Sequence, residues 1–260
     1  LGSSAASAVY KRQDLKDRTV LITGGGSGIG AAFVEAFVGQ ESQVAFFDIQ
    51  EGSSLELVQK LATVNQEPLF VKCDVTDINA LKKAVAEVEI KLGAVRVLIN
   101  NEASDERHEP EDGTPEYWEQ RLRLNLSHHF FAAQAVKPSM AKAGGGAIIN
   151  MGSCSWHMAM EFMPGYTSSK AAIEGLTQSL ARAYGKDRIR VNCIIPGQVW
   201  TSRQMKEIMT PEYEKFMTEK QCLPDRILPE DIAQLALFLA SDAGRMCTRR
   251  NYFMDAGIGA

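Results

Sequence analysis

The chain has 260 residues, 45% of them hydrophobic, which suffices for a full core in one large domain. Its 28 Lys and Arg against 32 Asp and Glu leave a net charge of -4, and no basic stretch is interleaved with aromatics, which argues against nucleic acid or a membrane surface as partner. Five scattered cysteines without C-x-x-C spacing point to reduced thiols in a cytoplasmic protein and to no metal site.

Leu1 to Val9 has neither a basic start nor a long apolar run, so no signal peptide or membrane span is expected there. Residues 1–14 read as a flexible tail before a single domain over 15–260, since no Pro/Gly/Ser-rich linker divides the rest. Thr19-Val20-Leu21-Ile22 is a short apolar strand, followed by Thr23-Gly24-Gly25-Gly26-Ser27-Gly28-Ile29-Gly30 and a helical run to about Val38. Strand, glycine loop and helix form the arrangement in which backbone N–H groups and a helix N-terminus hold a pyrophosphate. On spacing alone, a glycine-rich turn that merely packs strand on helix is as good a reading.

The next strand, Gln43 to Phe47, ends in Asp48, eighteen positions beyond Gly30. A carboxylate at that distance suits the ribose hydroxyls of an adenosine and repels a 2′-phosphate, and Ile49-Gln50-Glu51 offers no arginine to counter it. NAD is therefore expected over NADP. Leu69 to Cys73 is a third strand, and Asp74 after it either contacts adenine or begins a turn. A helix from about Asp77 to Leu92 precedes the strand Val95 to Ile99, with Asn100-Asn101-Glu102-Ala103 at its carboxyl end, where ligands of open parallel sheets bind. Asp105-Glu106-Arg107-His108 lies just beyond.

A helix from about Pro115 to Met140 carries Trp118, Leu122, Leu126, Phe130 and Ala133 at helical spacing, with Asn125 beside that face. A buried mid-helix amide must find partners or distort the ladder, as structural glue or as part of a proton path. Ala147 to Met151 is a buried strand, so Ser153 sits where a strand ends, and Pro164 opens a helix with the stripe Tyr166, Lys170, Ile173, Thr177, Leu180, Tyr184. A hydroxyl, a phenol and a lysine one turn from the phenol form a candidate acid/base group. Arg190 to Ile195 is a sixth strand, running into Pro196-Gly197-Gln198-Val199. Residues of about 198–225 are amphipathic and Met-rich, as a lid would be. Pro229 starts a helix, and Asn251 to Met254 is a last strand.

With these motifs in this order, the chain resembles the short-chain dehydrogenase/reductases over nearly its whole length. The resemblance implies an α/β fold, a single Rossmann-type doubly wound domain with a seven-stranded parallel sheet flanked by helices, in a homotetramer. Asn125, Ser153, Tyr166 and Lys170 match the family's catalytic tetrad. Gly24, Ser27, Gly28, Ile29, Gly30, Asp48, Asp74, Val75, Asn101, Ala103, Tyr166, Lys170 and Val199 match positions lining the dinucleotide, with Ile49, Glu102, Pro196 and Gly197 beside them. Asp105 to His108, Gly152 to His157 and Gln221-Cys222-Leu223 resemble the substrate-facing loops of bacterial aldose 1-dehydrogenases. A sugar substrate is therefore expected, contacted by Glu106, Arg107, His108, Ser153, Ser155, His157, Tyr166 and Gln198. Trp156 either stacks on the sugar ring or packs. An acyl-chain or steroid substrate would ask for a more apolar rim; a non-sugar alcohol or 3-oxoacyl enzyme and a non-catalytic NAD sensor are the rival readings. Three departures from the family pattern stand out: Glu102-Ala103 for Ala-Gly, the missing glycine around Thr248-Arg249-Arg250, and Asp255-Ala256-Gly257 for Asp-Gly-Gly.

Overall fold

The strands are apolar on both faces because each must be covered twice. In β1 (Thr19–Thr23), Val20 and Ile22 join one core cluster and Leu21 the other. The same alternation runs through β4 (Val95–Asn100), where Val97 and Ile99 face one side and Leu98 faces the opposite one. The computed structural model describes residues 12–62, 67–207 and 210–259. In it, β2 (Gln43–Asp48), β3 (Leu69–Lys72), β5 (Gly146–Met151), β6 (Ile189–Pro196) and β7 (Asn251–Met254) complete one parallel sheet in the order β3-β2-β1-β4-β5-β6-β7.

Helices cover both faces. Apolar side chains of α1 (Gly28–Gly39), α2 (Glu51–Ala62) and α9 (Pro229–Ala240) fill one layer, and those of α3 (Ile78–Leu92), α5 (His128–Lys142) and α6 (Pro164–Tyr184) fill the other. The order reverses between β1 and β4, so the carboxyl ends of these strands open the crevice in which such sheets hold ligands. Among the described residues no helix is long and apolar enough to cross a membrane.

The expected helix over 115–140 is interrupted. It divides into α4 (Pro115–Leu122), a π turn (Arg123–Ser127) and α5, with Asn125 fully buried inside the turn. The wider turn re-phases the helix surface, so the apolar stripe read from spacing points inward only in part: Ala133 is fully buried, but the stripe's two largest side chains are not. Trp118 is 41% and Phe130 37% exposed, while Arg121, Asn125, His128, Ala132 and Val136 form the buried line.

Of the tail expected over 1–14, residues 1–11 lie outside the described residues. Arg12 to Asp14 already belong to the fold: the Arg12 amide donates to Gln40 Oε1 at 2.6 Å, and Asp14 accepts from the Asp242 amide at 2.7 Å.

Both departures near the C-terminus fall on left-handed backbone. Arg249 has φ +61° and Ala256 +54°, conformations that cost a side-chain-bearing residue about 1–2 kcal/mol. Arg249 is exposed, so its side chain gives little packing in return. The substitution Arg249→Gly is expected to stabilise the fold by roughly 0.5–1 kcal/mol, the relief of strain being partly offset by glycine's freedom in the unfolded chain. Denaturant unfolding of the two proteins checks this.

Candidate active site

The loop from β1 to α1 is built around close backbone approach. Gly24 (φ +66°) donates its N–H to Phe47 O at 2.8 Å, and a Cβ at Gly30 would lie 1.7 Å from Gly24 O. Ser27 precedes α1 without a side-chain capping bond, so no side chain of its own occupies that helix N-terminus. Asp48, 6% exposed, accepts from the Gly26 N–H at 2.8 Å and from the Gln50 N–H at 2.8 Å, which fixes its carboxylate against the loop. Asn101 ties the end of β4 to the same loop, its Nδ2 donating to Gly24 O at 2.9 Å and its amide to Thr23 Oγ1 at 2.9 Å. The loop, Asp48 and Asn101 line one end of a cavity of about 860 Å³, within the usual range of ligand sites.

The other end of that cavity is lined by Ser153, Tyr166 and Lys170. Ser153 leaves β5 and hydrogen-bonds Tyr166, while the Ser155 amide donates to Ser153 Oγ at 3.1 Å. Lys170, 2% exposed, donates to Met151 O at 2.8 Å and holds Nζ 5.4 Å from the centroid of the Tyr166 ring. Burial lowers its pKa to about 8, so it remains a cation at neutral pH. Burial pushes the Tyr166 pKa up, opposed by the bond to Ser153. Asn125 stands behind these groups and not on the cavity wall; its Oδ1 accepts from the Ser104 amide at 2.8 Å. Beside it, His128 and His129 are fully buried, and desolvation holds both neutral, His128 with a pKa of about 3.

Over the mouth lie α7 (Ser202–Glu207) and α8 (Pro211–Lys220). Thr201, Ser202, Arg203, Gln204 and Met217 reach the cavity from this segment, whose residues 208–209 lie outside the described residues. Asp105 clasps it, accepting from Arg203 Nη2 at 2.6 Å and Gln204 Nε2 at 3.0 Å. Gln204 Oε1 in turn accepts from Gln198 Nε2 at 3.3 Å, carrying the hydrogen-bonded chain back to the end of β6.

A family model described as enoyl-(acyl carrier protein) reductase, one of the short-chain dehydrogenase/reductase models, matches residues 24–259. The chain belongs to the short-chain dehydrogenase/reductase family. It is 46% identical over 252 residues to the D-xylose 1-dehydrogenase of Caulobacter vibrioides, covering 97% of this chain and 99% of that one. It is also 46% identical over 246 residues to a protein of Rhizobium meliloti named "Probable galactose dehydrogenase GalD", covering 94% and 96%. Among solved structures, a blue fluorescent protein from a metagenomic library, in complex with NADPH, superposes with a TM-score of 0.88 at 30% identity, covering 95% of this chain and all of that one. As a family member the protein is an oxidoreductase acting on CH-OH groups with a nicotinamide dinucleotide.

For a short-chain dehydrogenase/reductase, most of the expected cofactor positions converge: Gly24, Ser27 to Gly30, Asp48, Ile49, Asn101 to Ala103, Pro196, Gly197 and Val199 all line the cavity. Asp74 and Val75 do not. Asp74 accepts from the Thr76 amide at 2.8 Å and begins a turn, and Val75 is buried in the core beneath α3.

On the substrate side, Arg107, Ser153, Ser155, Tyr166 and Gln198 line the cavity, whereas Glu106, His108 and His157 do not. In the extended segment after β4, alternate side chains face opposite ways, so Asp105 and Arg107 look in while Glu106 pairs with Arg121 at 2.8 Å and His108 packs on Tyr117. Glu174 of α6 captures His157 at 3.0 Å and Trp156 at 2.8 Å, holding both away from the cavity. Gln221-Cys222-Leu223 also faces elsewhere, the Cys222 amide donating to Ala256 O at 2.8 Å. Sequence reasoning missed Asp105, Arg203 and Gln204 as a cluster, and missed the wall of Met158, Met160, Met163 and Met217. The period-two alternation from Asp105 was the one available signal.

Proposed function

We propose that the protein oxidises an aldose at its anomeric carbon to the aldonolactone, with NAD as hydride acceptor. The observation that carries this reading is the meeting, in one cavity, of the glycine loop and Asp48 with Ser153, Tyr166 and Lys170. The names of the two curated relatives, a D-xylose and a galactose dehydrogenase, support the substrate class.

The residues present fit a dinucleotide. Gly24 and Gly30 leave no room for side chains, a Cβ at Gly24 meeting Glu102 and one at Gly30 meeting Gly24 O, so the loop keeps the close backbone packing that a pyrophosphate-binding turn needs; the buried Asp48 carboxylate at the end of β2 lines the same cavity, which favours NAD over NADP. When bound, the nicotinamide supplies the hydride-accepting carbon and a positive charge. Ser153 donates a hydrogen bond to the anomeric oxygen and orients C1, chiefly a positioning contribution. Tyr166 takes the hydroxyl proton at its phenolic oxygen. Because burial opposes the phenolate, the charge of Lys170 beside it is required in the working complex. Asn125, fixed in the π turn, holds the proton path from Lys170 toward solvent. Asp105, Arg107 and Gln198 serve the sugar hydroxyls, and α7 and α8 act as the lid. A homotetramer in the cytoplasm belongs to the same reading.

The five methionines in the wall, Met151 included, favour a second reading, an enzyme of the same fold for a less polar alcohol or a 3-oxoacyl substrate. Initial rates of NADH or NADPH formation across pentoses, hexoses, 6-deoxyhexoses and simple secondary alcohols separate the two. A clear rate with NAD and one or two aldoses is expected; silence on every sugar with turnover of alcohols sinks the proposal. In the same assay Asp48→Asn is expected to lower the KM for NADP by roughly tenfold, since removing the carboxylate charge is worth about 1.4 kcal/mol for that coenzyme. An unchanged NAD to NADP ratio would remove Asp48 from the specificity argument.

A further inference from the structure

A carboxylate in a site for a doubly negative ligand needs a reason. Glu102 follows Asn101 at the end of β4, and its own amide donates to Thr23 Oγ1 at 3.1 Å, so its backbone is fixed against the glycine loop. Its side chain lies over Gly24. A Cβ built on Gly24 would come 2.5 Å from Glu102 Oε2 and 2.9 Å from Glu102 Cα. The carboxyl therefore abuts the glycine loop at Gly24, and it lines the same cavity as that loop.

The charges facing it do not balance. Asp48 from β2 and Asp74 beyond β3 are like charges, while Lys170 from α6 is the opposing cation and the Ala103 amide a hydrogen-bond donor. Burial is the largest influence and, with Asp48, raises the Glu102 pKa to about 7. Near neutrality the free protein is thus divided between the carboxylic acid and the carboxylate.

We propose that Glu102 gates dinucleotide binding through its proton: the cofactor is accepted when Glu102 is the neutral acid, and binding to the carboxylate form draws a proton from solvent. The inference rests on the reading of this cavity as the dinucleotide site. A pyrophosphate beside Glu102 adds like charge and favours the acid, which in turn can donate its O–H to a phosphate oxygen. A group whose pKa rises on binding takes up protons, so affinity is greatest below the free-protein pKa and falls as pH climbs above it, by up to about tenfold per pH unit. Acidification thus favours loading, the reverse of what Tyr166 requires for proton abstraction.

Calorimetric titration with NAD tests this, at about pH 6 and pH 8 and in pairs of buffers with different heats of ionisation. The wild-type protein is expected to bind NAD roughly tenfold more weakly at the higher pH, with a buffer-dependent heat reporting uptake of up to about one proton per NAD. Glu102→Gln is expected to bind with nearly the same affinity at both pH values and without that uptake. Equal wild-type affinities with no buffer dependence overturn the gate, and so does a Glu102→Gln protein that keeps the full pH dependence. No binding of NAD by the wild-type protein at either pH overturns the dinucleotide reading itself, and this inference with it. The wild-type arm decides even where the variant folds poorly.

Discussion

Replacing Tyr166 by phenylalanine lowers turnover by roughly 10²–10⁴-fold while leaving dinucleotide affinity within about twofold. The hydroxyl is the group placed to take the substrate proton, and Phe keeps the ring volume against Lys170 while removing it. Ser153 is a weaker base, and the buried His128 and His129 do not line the cavity. The activity of the wild-type enzyme is expected to rise with pH, because burial pushes the Tyr166 phenol up and only deprotonation makes it a base. Steady-state rates beside an equilibrium titration of the cofactor measure both halves. A Tyr166→Phe protein with more than about a tenth of the wild-type turnover would show that the proton leaves by another route.

Gly30→Ala is expected to cost about 1–3 kcal/mol of stability or more, and to weaken dinucleotide binding by at least about tenfold. The added Cβ would lie 1.7 Å from Gly24 O, and what it meets is backbone, with no flexible side chain to swing away. Either α1 moves off β1 or the loop between them opens, and both changes separate the helix N-terminus from the end of β2. In a chain of this length each kcal/mol lowers Tm by about 2–4 °C, so differential scanning calorimetry shows the loss directly. Gly39 and Gly52 serve as controls. A Cβ at either meets nothing within 4 Å, so Ala there is expected to leave binding unchanged.

The contrast between these glycines illustrates what can be read from a sequence. Gly24 and Gly30 are legible because they stand between an apolar strand and a helical run, where a phosphate-binding loop demands them. Asp48 is legible because the strand before it ends at the right distance. Lys170 is legible because a cation in an otherwise apolar helical stripe requires a partner. Each of these depends on local periodicity and on the position of a strand end, which the chain itself specifies.

Other features depend on which elements meet. Asn125 is recognisable as a buried amide, but the π turn around it and its bond to the Ser104 amide are not, and Trp118 and Phe130, read as part of an apolar stripe, are exposed. His157 reads as a sugar contact, and Trp156 as either a sugar-stacking or a packing residue, whereas Glu174, distant in sequence, takes both. The Asp105, Arg203 and Gln204 cluster joins segments about a hundred residues apart, and no local pattern announces it. Glu102 is the sharpest case. As a letter it is a departure from the family pattern beside the expected dinucleotide positions, and its closeness to Gly24, Asp48 and Lys170 arises where the ends of β1, β2 and β4 converge with α6. The sequence by itself determined the parallel sheet, the dinucleotide loop and the acid/base side chains, because hydrophobic period and backbone conformation are local properties. Tertiary structure alone decided which polar groups face the cavity and what charge they bear there, because solvation and Coulomb interaction act through space and take no account of distance along the chain.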